Sequence, residues 1–192
     1  MSDAIRVGLV GFGYASKTFH APLIGGTPGM ALKAVASSDA DKVHADWPGV
    51  KVMSAPGDLL DDPDIDLVVI ATPNDTHFPL AKAALEAGKH VVVDKPFTVT
   101  LSQARELESL AKHCGRILSV FHNRRWDSDF LTVSALINEG QLGEVCYFES
   151  HFDRFRPQVR QRWREQGGVG SGIWYDLAPH LLDQAITLFG VP

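Results

Sequence analysis

The chain carries only two cysteines in 192 residues, Cys114 and Cys146. Their spacing fits no metal-ligand pattern, and so sparse a pair excludes a disulfide-stapled scaffold. A reducing, cytoplasmic setting is the expectation. No apolar run approaches bilayer-spanning length, so no membrane segment is expected. Met1-Ser2-Asp3-Ala4 leads straight into a strand-like run, which is not the pattern of a signal peptide. Internal repeats and low-complexity segments are also missing. Positive charge is short: 18 Lys and Arg against 23 Asp and Glu leave a net charge of −5. That balance argues against a general affinity for nucleic acid or for an anionic membrane. What remains is an ordinary globular composition, 45% hydrophobic. The length admits one large domain, or one domain and part of a second.

The most informative stretch is Val91-Val92-Val93-Asp94-Lys95-Pro96-Phe97. Three β-branched residues in a row read as a strand buried on both faces. Pro96 stops it, because proline cannot continue a central strand. An acid and a lysine therefore sit at the carboxyl end of a buried strand, the edge at which open α/β sheets bind ligands. Lys95 is either a solvated loop lysine or a catalytic cation beside a cofactor.

Upstream, Ile5 to Val10 reads as a strand that runs into Gly11-Phe12-Gly13-Tyr14-Ala15-Ser16. This is a dinucleotide fingerprint with Ser16 at the third glycine position. Gly11 permits the tight turn and Gly13 lets the backbone approach a pyrophosphate. The free N–H groups of the helix that follows, which carries Phe19 and Leu23, would bind the anion. Ala31 to Ala36 is a second strand, ending in Ser37-Ser38-Asp39. Two small hydroxyls with Lys42 nearby suit the 2′-phosphate of NADP. If Asp39 points into the site instead, NAD is expected. Asp39 can also simply cap the next helix. Further strands are expected at Val50–Met53, Ile65–Ala71, His90–Val93 and Ile117–Phe121. A helix capped by Asp75 or Thr76 follows Thr72-Pro73-Asn74, and another covers Thr100–Lys112. Strand and helix alternate throughout, which predicts an α/β fold with a parallel, doubly wound sheet.

After Phe121 the pattern changes, giving a dinucleotide-binding domain over residues 1–121 and a second domain over 122–192. A helix is expected over Asp127–Glu139. Val145–Phe155 alternates and predicts a strand of a different sheet. Beyond a glycine run from Gly167 to Gly172, a helix is expected over Ile173–Phe189. Asp176 and His180 share one of its faces, with Asp183 three residues on. His180 can be a structural helix residue, a metal ligand with Asp176 and Asp183, or a proton-exchanging imidazole oriented by Asp176. No further ligand cluster supports the metal, so none is expected.

Taken together, these motifs resemble the Gfo/Idh/MocA oxidoreductase family, named for glucose–fructose oxidoreductase and inositol dehydrogenase. The marks are Gly11-Phe12-Gly13, Thr72-Pro73-Asn74 with His77, and Ala87-Gly88-Lys89-His90-Val91. They continue with Asp94-Lys95-Pro96 and Gly170-Ser171-Gly172…Asp176…His180…Asp183. Asp94 stands where the family usually has Glu. Val120-Phe121-His122-Asn123-Arg124-Arg125-Trp126-Asp127 and Glu149–Phe155 resemble a branch that contains NADP-dependent scyllo-inositol dehydrogenases. Members carry a larger second sheet after the last helix, so the resemblance implies an α+β substrate domain of which this chain holds an incomplete start.

The resemblance implies an NAD(P)-dependent enzyme that moves a hydride between nicotinamide and a secondary alcohol of a cyclic polyol or sugar. It also implies a homo-oligomer. Lys95, His180 and Asp176 would be catalytic. Gly11, Phe12, Gly13, Tyr14, Ala15, Ser37, Ser38, Lys42, Thr72, Pro73, Asn74, His77, Asp94, Lys95 and Pro96 would surround the cofactor. Asn123, Arg124, His151 and Asp153, with Lys95, Asp176 and His180, would meet the substrate. The rival expectation is a non-catalytic dinucleotide-binding protein or an inactive part of such an enzyme. A purely structural protein would leave Gly13, Lys95 and the Asp176/His180 pair without a common purpose.

Overall fold

The computed structural model describes residues 4–159 and 161–192. The backbone divides into two compact units, the first ending at Phe121 and the second running over His122–Pro192.

The first unit is an α/β sandwich on a fully parallel sheet. Its strands are β1 (Ile5–Val10), β2 (Met30–Ala36), β3 (Lys51–Met53), β4 (Leu67–Ile70), β5 (His90–Asp94) and β6 (Leu118–Phe121). Among the described residues the sheet has six strands in the order β3-β2-β1-β4-β5-β6. The chain therefore reverses direction of winding between β1 and β4, where a crevice opens at the carboxyl ends. Register aligns those ends: Val10 pairs with Ala36 and Ile70, and Ile70 with Val93. Gly11, Ser37 and Ala71 consequently leave the sheet side by side, next to Asp94, the last residue of β5. Helices α1 (Ala21–Gly26), α2 (Ala40–Asp46), α3 (Pro56–Leu60), α4 (Asn74–Glu86) and α5 (Leu101–Cys114) cover both faces. Continuous apolar strands bury both sides, with Val7, Leu9, Val68, Ile70, Val91 and Val93 at 1% exposure or less.

Local chemistry sets the helix starts. Thr100 caps α5 by accepting from the Gln103 N–H at 3.3 Å, and Asp39 caps α2 by accepting from Lys42 N–H at 3.0 Å. The start of α4 differs from the expected cap. Neither Asp75 nor Thr76 caps it; the helix begins at Asn74 directly behind Pro73, whose φ of −59° already suits helix entry. The Thr76 hydroxyl donates back to Pro73 O at 2.6 Å instead.

The opposite, amino-terminal ends of the strands are tied by charge. Arg6 grips Asp66 with two guanidinium bonds of 2.9 and 2.7 Å and its own backbone N–H at 2.9 Å. The buried Lys89 ammonium donates to Asp62 O and Ile65 O. The Arg6 side-chain bond, reinforced by its N–H, holds the Asp66 carboxyl down at about 2. Its folded value lies below the unfolded one, so the stabilisation is present above pH ~4 and is lost as pH falls through ~2. Asp66 is partly exposed, so solvent screening reduces the contribution to about 1 kcal/mol. Asp66→Asn is expected to lower the melting temperature at pH 7 by a few degrees and to flatten the acid limb of the stability curve between pH ~4 and ~2. Thermal unfolding followed across that range checks this.

The second unit contains α6 (Ser128–Asn138) and α7 (Ile173–Phe189), with 3₁₀ turns at Asn123–Trp126 and Trp163–Glu165. Arg125 forks onto Asp183 at 2.7 and 2.6 Å, and Gln184 donates to Arg124 O at 3.0 Å, tying the first turn to α7. The strand expected over Val145–Phe155 is not formed. Its alternation survives, since Tyr147 and His151 both reach Glu149 from two residues away. No neighbouring strand exists among the described residues to accept its ladder, and a lone strand has no stability of its own. No helix among the described residues is long and apolar enough to cross a membrane.

Candidate functional site

The turn after β1 is built by the backbone. Gly11 has a φ of +90°, and a Cβ there would lie 2.8 Å from Ala71 O, so only glycine fits between β1 and β4. The Gly11 N–H donates to Ala36 O at 2.9 Å. Ser16, fully buried at the third glycine position, donates its hydroxyl to Gly11 O at 2.8 Å and braces the turn from within. Gly13 is different: a Cβ there would meet nothing within 4 Å. The space above it is the mouth of a cavity of about 440 Å³.

That cavity is lined by Gly11, Phe12 and Gly13 after β1, by Ser37, Ser38, Asp39 and Lys42 after β2 on one side of that turn, and by Thr72 after β4 on the other. It has the shape a dinucleotide needs: a glycine turn open to the pyrophosphate, then hydroxyls and a cation at the end of the second strand. Asp39 borders it, but its carboxylate is engaged by the Lys42 N–H. Tyr14 and Ala15 lie outside the lining; Tyr14 is 78% exposed and packs edge-on against Phe19. Asn74 and His77 are buried. The His77 ring sits between two main-chain carbonyls, Pro96 O at 2.8 Å and Thr72 O at 3.0 Å. It shapes the Thr72-Pro73 and Lys95-Pro96 turns from behind.

At the end of β5, Asp94 and Lys95 are each about nine-tenths buried. Asp94 Oδ1 accepts from the Lys95 N–H at 2.8 Å. Its Oδ2 lies 3.8 Å from Nε2 of His20, and Phe121 packs on the His20 ring at 4.3 Å between centroids. Burial disfavours the Asp94 carboxylate, but His20 and then Lys95 outweigh it and hold the carboxyl below its ordinary range. His20 ends a π-wound turn, Ser16–His20, that opens into α1. Such turns recur at functional sites.

The second unit gathers a smaller set. His180 is buried on α7, with the Phe152 ring edge-on at 6.3 Å, and the Arg124 guanidinium lies over the Phe152 ring at 5.2 Å. Arg124 also pairs with Asp127 at 2.6 Å. Asn123 lies on the same 3₁₀ turn as Arg124. Asp176 meets Arg164 Nε at 3.5 Å. Asp183 accepts two bonds from the Arg125 guanidinium. Among the described residues no group of three or more His, Cys, Asp and Glu could hold a metal ion. His151 is turned to Glu149 at 2.6 Å, and Asp153 is almost fully exposed.

Two family models match the chain. One, described as oxidoreductase family, NAD-binding Rossmann fold, covers residues 5–122; the other, the family's C-terminal alpha/beta domain, covers 134–192. The chain belongs to the Gfo/Idh/MocA oxidoreductase family. Within Gfo/Idh/MocA proteins it is 80% identical over 192 residues to the uncharacterized oxidoreductase YdgJ of Escherichia coli (strain K12), covering 100% of this chain and 56% of that protein. It is 40% identical over 190 residues to the scyllo-inositol 2-dehydrogenase (NADP(+)) IolW of Bacillus subtilis (strain 168), covering 99% of this chain and 53% of that one. The solved structure of YPO2259 from Yersinia pestis superposes with a TM-score of 0.94 at 71% identity, over 100% of this chain and 54% of that chain. Biliverdin reductase from Synechocystis sp. PCC 6803, solved with biliverdin and NADP+, gives a TM-score of 0.84 at 31% identity, over 97% and 58%. The chain spans about half the length of the curated relatives it matches.

Sequence reading missed three contributors to this Gfo/Idh/MocA site. Ser54 and Pro56, just beyond β3, complete the cavity wall. His20 reaches Asp94 only because the π-wound turn and β5 converge. Its one sequence signal is a histidine on the helix directly behind the glycine turn.

Proposed function

We propose that this chain carries the cofactor-binding part, and residues of the substrate-binding part, of an NADP-dependent oxidoreductase acting on a secondary alcohol of a cyclic polyol or sugar. The observation that carries the reading is the cavity running from Gly11–Gly13 to Ser37, Ser38 and Lys42. Its open Gly13 end fits a pyrophosphate, and its serine and lysine end fits a 2′-phosphate. The carboxylate of Asp39, which would read an unmodified ribose, caps α2 instead. The NADP-dependent relative at 40% identity supports the same choice.

Bound NADP would supply or accept the hydride. The chain's own residues would handle the proton and the charge. Lys95 would donate to the reacting oxygen and favour alkoxide character. Asp94, through its bond to the Lys95 N–H, fixes the backbone from which that side chain starts. His180 would take the alcohol proton, and Asp176 would orient it or the substrate. Asn123, Arg124, His151 and Asp153 are the candidates for hydroxyl contacts. Free Cys114 and Cys146 agree with a reducing cytoplasm. Exposed Leu182 and Ile186 on α7 agree with burial in a homo-oligomer.

Parallel fluorescence titrations with NADPH and NADH test the cofactor reading, using the four tryptophans as reporters. NADPH is expected to bind more tightly. Lys42→Glu is expected to weaken NADPH about tenfold or more and to leave NADH within about twofold, since one charge-assisted phosphate contact is lost. A variant that weakens both equally, or wild-type preference for NADH, overturns the NADP assignment.

A further inference from the structure

The second unit holds a cavity, lined in part by Asp153 and Asp176, whose arginines the polyol reading leaves unexplained. Its volume is about 720 Å³, within the range of small-molecule sites. One wall is the start of α7, with Ser171, Gly172 and Asp176; the other is formed by residues that include Phe152, Asp153, Val159, Glu165 and Gln166. Among the described residues four arginines line it, Arg154, Arg156, Arg162 and Arg164. Two are neutralised locally: Arg162 by Glu165, and Arg164 by Asp176 while it stacks on Trp163 at 4.6 Å. Arg154 and Arg156 take part in no ion pair among the described residues. The remaining lining acid, Asp153, already has His151 Nδ1 at 4.0 Å. On the facing wall, α7 starts at Gly172 without a side-chain cap, so the partial positive charge of a 17-residue helix adds to that of the guanidinium groups.

A neutral polyol makes no use of two uncompensated guanidinium groups opposite a helix N-terminus. A carboxylate or phosphate does, because each offers a two-oxygen edge that matches the guanidinium fork. We propose that this cavity binds the anionic group of the substrate, which is therefore a polyol or sugar bearing a carboxylate or a phosphate. The inference rests on the oxidoreductase reading for the word substrate; the anion site itself does not depend on it. Asp176, which lines the cavity, lies one helical turn before His180 on α7, so an anion held by Arg154 and Arg156 leaves the neutral part of the molecule close to the helix that carries His180.

Calorimetric titration of the 192-residue chain with inorganic phosphate and with gluconate tests this, with myo-inositol as the neutral control. Sodium chloride holds ionic strength constant, and an NADPH titration runs alongside. At least one anion is expected to saturate a single site, and myo-inositol to bind much more weakly. The Arg154→Ala/Arg156→Ala double variant is expected to weaken the anion about tenfold or more while leaving NADPH affinity unchanged. Both side chains lie on the surface, so folding is not at stake, and an unchanged melting temperature confirms it. Phosphate alone points to a phosphorylated polyol, and gluconate alone to a sugar acid. No saturable binding overturns the proposal, as does binding that survives in the double variant, the behaviour of phosphate seated at the Gly11–Gly13 turn. Anion binding without NADPH binding overturns the dinucleotide reading and leaves this site standing.

Discussion

Replacing Lys95 with methionine is expected to lower turnover by about 10²–10³-fold while NADPH affinity stays within about threefold. Methionine fills nearly the same volume, so the substitution removes the ammonium without opening a hole in a site that is nine-tenths buried. The neighbouring carboxylate explains why the effect is large. Asp94 is held ionised by His20 and Lys95, and it anchors the Lys95 N–H at 2.8 Å. The ammonium therefore starts from a fixed backbone, and little reorganisation is required when charge develops on a substrate oxygen. Single-turnover and steady-state rates on the best polyol found by screening, set beside an NADPH dissociation constant, separate the roles. Parallel losses in binding and turnover would assign Lys95 to the cofactor and not to the reaction.

The two glycines of the first turn are expected to behave oppositely. Gly13→Ala should change stability by less than about 1 kcal/mol, because its added methyl meets no atom within 4 Å. The same methyl occupies the space a pyrophosphate needs, and loss of two charge-assisted N–H contacts is worth roughly 3 kcal/mol, or about 100-fold in NADPH affinity. Gly11→Ala should instead destabilise the fold by about 3 kcal/mol. It forces a side chain into a φ of +90° and puts a methyl 2.8 Å from Ala71 O. Denaturant unfolding and NADPH titration of the two variants give a crossed pattern if the cavity is the dinucleotide site. A Gly13 variant that binds NADPH as the wild type does would overturn that assignment.

The first unit was legible because its strands carry their own signal. Val91-Val92-Val93 and Val68-Val69-Ile70 are apolar on both faces, which belongs to the centre of a parallel sheet, and each ends at a turn residue. Helix α7 was legible in its extent, since the helix expected over Ile173–Phe189 beyond the glycine run is the one observed. Val145–Phe155 failed for a physical reason: alternation specifies which side each residue faces, but a strand also requires a partner that periodicity cannot name. His20 and the converging arginines were hidden for a related reason. Their environments arise where separate segments meet, and no spacing along the chain records that meeting.

The charged fastening of the sheet also has an evolutionary side. Arg6, Asp66 and Lys89 secure the strands at one end, while the glycine, serine and lysine turns that line the cavity occupy the other. Distance between the two ends makes their mutational effects close to independent. A lineage can thus exchange the turns that choose a cofactor or a substrate without spending the margin that keeps the sheet folded. Diversity of chemistry on one scaffold is the expected product of that separation.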